Sequence, residues 1–205
     1  NKAAIIDAGA VERIRELVLH APLSVQSEMT ACTAVLALSE DLKPQLLDMG
    51  ICEVLLPLTD SPSIEVQGNS AAALGNLSSK ADDYAPFNAV WDKPAGGLHG
   101  YLVRFLESED TTFQHIAVWT LIQLLESGNH ELEQHIRDSP HLLDLVRQLQ
   151  SRIGTFESEH EQADTSTAAD TSGQDVSPER EIAALSRRIE EILFEESDDG
   201  TSDAK

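Results

Sequence analysis

Apolar residues in the first three quarters of the chain fall at helical spacing, and the pattern recurs three times. Segments led by Gly9 (GAVERIRELV), Gly50 (GICEVLLPLT) and Gly97 (GLHGYLVRFL) can be laid on one another. Five residues after each Gly stands Ile14, Leu55 or Leu102, and eight after it Leu17, Leu58 or Phe105. Seventeen after it stands Gln26, Gln67 or Gln114, and ten beyond each Gln stands Leu36, Leu77 or Leu124. The period is 41 residues and then 47, which suits a helical repeat in which one supersecondary unit recurs.

Each unit predicts a helix, a tight turn and a longer helix. In the second unit the first helix is Ile51 to Leu58, and Thr59-Asp60-Ser61-Pro62-Ser63 is a turn ending on a Ser N-cap. Ile64 to Ser79 follows as the longer helix, with Leu74 and Leu77 on its buried face. Ser108 to Thr112 takes the turn's place in the third unit. A Gly at the head of each unit fits a helix end that needs positive φ. No unit can bury its apolar face alone, so stacking supplies the core.

The segment Glu65-Val66-Gln67-Gly68-Asn69-Ser70-Ala71-Ala72-Ala73-Leu74-Gly75-Asn76-Leu77-Ser78 resembles an armadillo repeat, as does the Gly-x-x-x-x-Leu spacing ahead of it. Gly96 to Ser127, with His115-Ile116-Ala117-Val118-Trp119-Thr120 at its centre, is similar to the last repeats of the fungal vacuole-membrane armadillo family. The resemblance covers about residues 1–150. It implies an all-α fold, a right-handed armadillo-repeat superhelix with a disordered acidic C-terminal tail. The expected division is 1–9 closing a preceding repeat, repeats over 10–50, 51–97 and 98–137, and a capping helix over 138–153. Beyond these come an acidic linker over 154–176, an amphipathic helix over 177–196 and a tail over 197–205. The opening residues, read as the end of an earlier repeat, suggest a piece of something longer.

The resemblance also implies a scaffold on the cytosolic face of the fungal vacuole, anchored by myristoyl and palmitoyl groups on an N-terminal region outside this sequence. Its implied partners are a myosin adaptor for vacuole inheritance, a nuclear-envelope protein at nucleus–vacuole contacts, and autophagy-initiation components. The alternative is an importin-alpha-like receptor for basic nuclear-localisation peptides. That reading is weakened because only Asn76 and Trp119 keep the ladder of Asn and Trp those receptors carry.

Charge changes the picture at the C-terminal end. The formal net charge is −22, with 21 acidic and 10 basic side chains over residues 1–153 and 15 against 4 over residues 154–205. Such a surface repels nucleic acid and anionic headgroups, so the chain by itself should not sediment with anionic liposomes at physiological salt. Gly154 to Val176 has too little apolar area to offset its ordering entropy and reads as disordered. Ser177-Pro178 then opens a helix with Ile182, Leu185, Ile189 and Ile192 on one side. That helix could cap the last repeat, bind a partner or pair with itself. Removing residues 154–205 is expected to leave the melting temperature nearly unchanged. Ser177-Pro178 is also a candidate proline-directed phosphorylation site.

No catalytic or metal-binding constellation stands out, and no cofactor is expected. His130 and His135 are five apart, about 140° round a helix, which does not suit a shared metal. Cys32 and Cys52 sit in apolar helical patterns and read as free buried thiols. The candidate binding surface comes from helix geometry. Asn76 lies about 200° from Leu74 on the helical wheel and therefore points away from the core. Asn69, Ala72 and Asn76 form one stripe, with Ile116, Trp119 and Gln123 as counterparts in the third unit and Glu28, Ala31 and Val35 in the first. In the armadillo family this stripe lines the concave groove. Asn69, Asn76, Trp119 and Gln123 are therefore the expected partner-binding residues, Trp119 having packing between repeats as its alternative role.

Overall fold

In a computed structural model the chain is described over residues 2–161 and 177–195, and no strand occurs among them. The helices are α1 (Lys2–Asp7), α2 (Ala10–Leu17), α3 (Leu23–Ala37), α4 (Lys43–Asp48), α5 (Ile51–Leu58) and α6 (Ile64–Ser78). They continue as α7 (Ala85–Ala89), α8 (Gly97–Glu107), α9 (Thr111–Leu125), α10 (His130–Arg137), α11 (Pro140–Glu161) and α12 (Pro178–Glu195). Every unit thus carries a short leading helix ahead of the two that the sequence pattern predicts. Residues 2–7, expected to end a preceding repeat, form α1, which packs on α2 as α4 packs on α5.

The punctuation of each unit follows from single residues. Gly9, Gly50 and Gly96 precede α2, α5 and α8 with φ of 80°, 67° and 83°, so the chain turns sharply between the short helix and the next. Gly97 is more constrained still, because a Cβ there would lie 2.3 Å from the carbonyl oxygen of Trp91. The long helices α6 and α9 start on side-chain caps: Ser63 Oγ accepts the Val66 N–H, and Asp110 Oδ1 accepts those of Thr112 and Phe113. Two of the three recurrent glutamines have a common task. Gln67 and Gln114 donate from Nε2 to the carbonyls of Ser61 and Ser108, tying each long helix to the turn before it.

The third helices form the ladder of the stack. α6 packs on α3 and α9 packs on α6, while α5 and α8 pack on each other behind them. Leu74, Leu77, Leu121 and Leu124 are fully buried between the layers, with Leu55, Leu102 and Tyr101 from the second helices. Burial pushes the Tyr101 phenol well above its ordinary pKa, and its hydroxyl meets Thr120 Oγ1 at 3.3 Å.

The C-terminal end differs from expectation. α11 runs through Glu161, past the boundary placed at residue 153. α12 does not stand apart: it packs along α9 and α11 in the place that α9 holds against α6 and α8. Ile182, Ile189 and Leu193 join the common core. α10, α11 and α12 therefore take the places of a unit's three helices, although here the second is the longest, with residues 162–176 between the second and third. Of the acidic linker expected over 154–176, residues 154–161 instead end α11, while 162–176 and the tail expected over 197–205 lie outside the described residues. This docking argues against the expectation that removing residues 154–205 leaves stability unchanged, since the removal would uncover α9.

Basic side chains close the helix ends. Lys43 Nζ donates to the Ser79 carbonyl just past α6, and Arg137 donates to the Leu193 carbonyl in the last turn of α12. Each places a cation at the negative end of a helix dipole. Desolvation nevertheless lowers the Lys43 pKa.

Candidate functional site

Past their first turns, the partly exposed residues of α6 and α9 fall on a single stripe of each helix. On α6 they include Asn69, Ala72 and Asn76, whereas Ser70, Ala71, Ala73, Leu74, Gly75 and Leu77 are buried. On α9 they include Ile116, Trp119 and Gln123, flanked by buried Ala117, Val118, Thr120, Leu121 and Leu124. The two helices run side by side, so the stripes adjoin. All four expected binding residues are half-buried on this one surface.

Their chemistry is less free than the sequence suggests. The Asn69 amide donates to the Ser27 carbonyl at 3.2 Å, and the Asn76 amide donates to the Ala34 carbonyl at 3.1 Å. Both carbonyls belong to α3, so each Asn stitches one unit to the one before. The stripe was expected to lie on a face that packing does not need, and these two bonds correct that view. Each amide spends one N–H on this bond and has its oxygen and second N–H without a partner among the described residues. Ser27 Oγ donates to Glu65 Oε2 at 3.0 Å beside Asn69, leaving a carboxylate at that end of the surface.

Trp119 serves both roles. A Cβ at Gly75 of α6 would lie 2.7 Å from Trp119 Cζ3 and 2.9 Å from Thr120 Oγ1, so the indole and the Thr120 hydroxyl rest directly on that glycine. The ring is half-buried, with one part in the repeat contact and the rest on the stripe. Gln123 has the most available side chain of the four, since it is half-buried and makes no side-chain hydrogen bond among the described residues.

α12 extends the surface. His115 Nε2 of α9 meets Glu181 Oε1 at 3.2 Å, and Arg188 meets Glu126 at 3.5 Å. These two contacts, near opposite ends of α9, show that α12 runs parallel to α9. The sequence pattern showed an amphipathic helix there but carried no signal for where it docks.

The remaining candidates resolve simply. His130 pairs with Glu133, while His135 stacks on Trp91 with ring centroids 5.1 Å apart, so the two histidines serve different contacts. Among the described residues no group of three or more His, Cys, Asp or Glu is placed to hold a metal. Cys52 is fully buried and burial drives its thiol pKa far up, whereas Cys32 is only partly covered. No helix among the described residues is long and apolar enough to cross a membrane.

Stacked three-helix units with a glycine before α2, α5 and α8 and a long third helix give the chain an armadillo-repeat fold. Residues 39–79 match the family model of the Armadillo/beta-catenin-like repeat. The chain is similar to Vacuolar protein 8 of several fungi. It is 62% identical to that of Schizosaccharomyces pombe over 152 residues, covering 74% of this chain and 28% of the relative. It is 52% identical to that of Gibberella zeae over 193 residues (94% of this chain and 32% of the relative). Against that of Saccharomyces cerevisiae the identity is 44% over 149 residues, 73% of this chain and 26% of the relative. The chain thus spans about a third or less of the length of these relatives. A crystal structure of an engineered protein has the same fold, with a TM-score of 0.63 at 24% identity, covering 94% of this chain and 82% of that one.

Proposed function

We propose that this chain is part of a protein-binding scaffold acting at the cytosolic face of the fungal vacuole. In this reading it holds partner segments on the stripe formed by Asn69, Asn76, Trp119 and Gln123. The carrying observation is the stripe itself, where amide groups and an indole edge adjoin on two neighbouring ladder helices that bury almost everything else. The similarity to Vacuolar protein 8 supports the vacuolar setting. The partner classes are those the family resemblance implies: a myosin adaptor, a nuclear-envelope contact protein or autophagy-initiation components. Anchoring by N-terminal acyl groups belongs to the same reading.

The stripe suits an extended or helical segment with donors to offer, because the Asn oxygens accept no bond among the described residues and Glu65 is exposed. The test is a calorimetric titration of the chain with such a vacuolar partner segment, with circular dichroism on every variant. Gln123→Ala and Asn69→Ala should each weaken binding by about 1 kcal/mol, the net worth of one hydrogen bond, or roughly fivefold in Kd. If both variants are folded and bind like wild type, the stripe is not the binding surface. Tighter binding of a basic nuclear-localisation peptide than of any vacuolar segment would favour the import-receptor reading instead.

A further inference from the structure

We propose that Ser177 is a phosphoacceptor for a proline-directed protein kinase, and that docking of α12 governs how fast it is modified. Three serines in the chain precede a proline: Ser61, Ser139 and Ser177. A proline-directed kinase takes the residue after the acceptor in an apolar socket that suits proline, whose nitrogen carries no N–H to leave unsatisfied. Many such enzymes also hold a basic side chain three positions beyond the acceptor. Ser61 is followed there by Ile64, Ser139 by Leu142 and Ser177 by Arg180.

The structure separates the three further. Ser61 is 6% exposed, and its hydroxyl oxygen accepts the Ser63 N–H. Ser139 is half-buried, and its hydroxyl donates to the His135 carbonyl at 2.8 Å. Ser177 is exposed, at the head of α12. One residue therefore combines the recognition sequence with an accessible hydroxyl.

Its conformation supplies the control. The Ser177 carbonyl accepts the N–H groups of Arg180 and Glu181, so Ser177-Pro178-Glu179-Arg180 is wound as the first turn of α12. Glu181 in that turn lies 3.2 Å from His115 Nε2 of α9 without a hydrogen bond to it, and Ile182, one residue on, is 2% exposed, so the turn is seated on α9. A kinase cleft binds its substrate extended, so this turn must open before transfer. Helix ends open at low cost compared with the core. In the open state the γ-phosphoryl group of ATP passes to Ser177 Oγ. The new O–P bond forms as the bond from the γ-phosphorus to the β–γ bridging oxygen breaks. ADP leaves, and the hydroxyl proton goes to the base of the kinase.

The test incubates the full chain with a cyclin-dependent kinase complex and ATP, with mass spectrometry locating the phosphate. Ser177 should carry it while Ser61 and Ser139 do not, and Ser177→Ala should abolish incorporation. Arg180→Ala should lower the initial rate by roughly tenfold, the effect of losing about 1.4 kcal/mol of recognition. Ile189→Asp, which loosens α12, and the milder His115→Ala, outside the recognised sequence, should each raise the rate several-fold. No phosphate at Ser177, or equal phosphate at Ser61 or Ser139, would overturn the assignment. Rates unchanged in both loosening variants would overturn the control by docking.

Discussion

Gly75 shows how one residue sets the distance between two units. Alanine is a better helix former than glycine by about 1 kcal/mol, and Gly75 lies within helix α6. Yet the added Cβ would come within 2.7 Å of the Trp119 ring and 2.9 Å of the Thr120 hydroxyl oxygen. We expect Gly75→Ala to destabilise the chain by about 1–3 kcal/mol, the usual effect of overpacking a tight contact. Urea denaturation reads this directly. In the Trp119→Ala background the same change should cost much less, and equal losses in both backgrounds would show that the two residues do not meet. The sequence pattern marked Trp119 as a candidate for binding or for packing. Only the position of Gly75 on the neighbouring helix shows that packing takes part of the ring.

At the scale of the element, α12 carries the largest difference between expectation and structure. Its apolar side was visible from the spacing of Ile182, Leu185, Ile189 and Ile192, and so was the helix itself. What it touches was not visible, because an amphipathic pattern states that a face needs cover without naming the cover. Ile189 is fully buried among α12's contacts with α9 and α11, so Ile189→Ala should cost about 2–5 kcal/mol, as for other buried Ile truncations. A chain ending after residue 176 should melt at a distinctly lower temperature than the full chain. An unchanged melting temperature would mean that α12 is not part of the folded unit. The same non-locality hid the roles of Lys43 and Arg137, whose acceptor carbonyls lie 36 and 56 residues away.

For the whole molecule, alkaline pH probes the core. Cys52 and Tyr101 are fully buried and Tyr84 partly so, and in each case desolvation raises the pKa above ordinary values of 9.0 for the thiol and 10.0 for the phenols. The folded state therefore keeps protons that the unfolded chain releases. Stability from these groups is complete below pH 9 and falls as pH rises beyond it, with a slope approaching about 1.4 kcal/mol per pH unit for each such group. Lys43 works in the opposite sense, because its lowered pKa lets the folded state release a proton before the unfolded chain does. The urea midpoint should thus fall between pH 8.5 and roughly 10.5. Cys52→Ala should remove the earlier part of that decline and Tyr101→Phe the later part. A midpoint that stays level over this range would contradict the burial of both.

The sequence by itself determined the repeating unit. Gly9, Gly50 and Gly97, the glutamines 17 residues on and the buried leucines recur because turn, cap and core are local needs that every unit must meet again. It also determined which stripe of each third helix faces outward, since that follows from 3.6 residues per turn. Tertiary structure alone decided which surfaces are shared. Ile5, Leu17 and Val25 are 40–49% exposed in the first unit, while Leu46, Leu58 and Val66, 41 residues on, are at most 5% exposed beneath it. The residue types match, and the neighbour makes the difference. In the same way Asn69 and Asn76 read as free amides until α3 lies beside them, and α12 reads as a separate helix until α9 and α11 receive it. Periodicity is a property of one helix, whereas burial and hydrogen-bond satisfaction belong to pairs of helices that only the folded chain brings together.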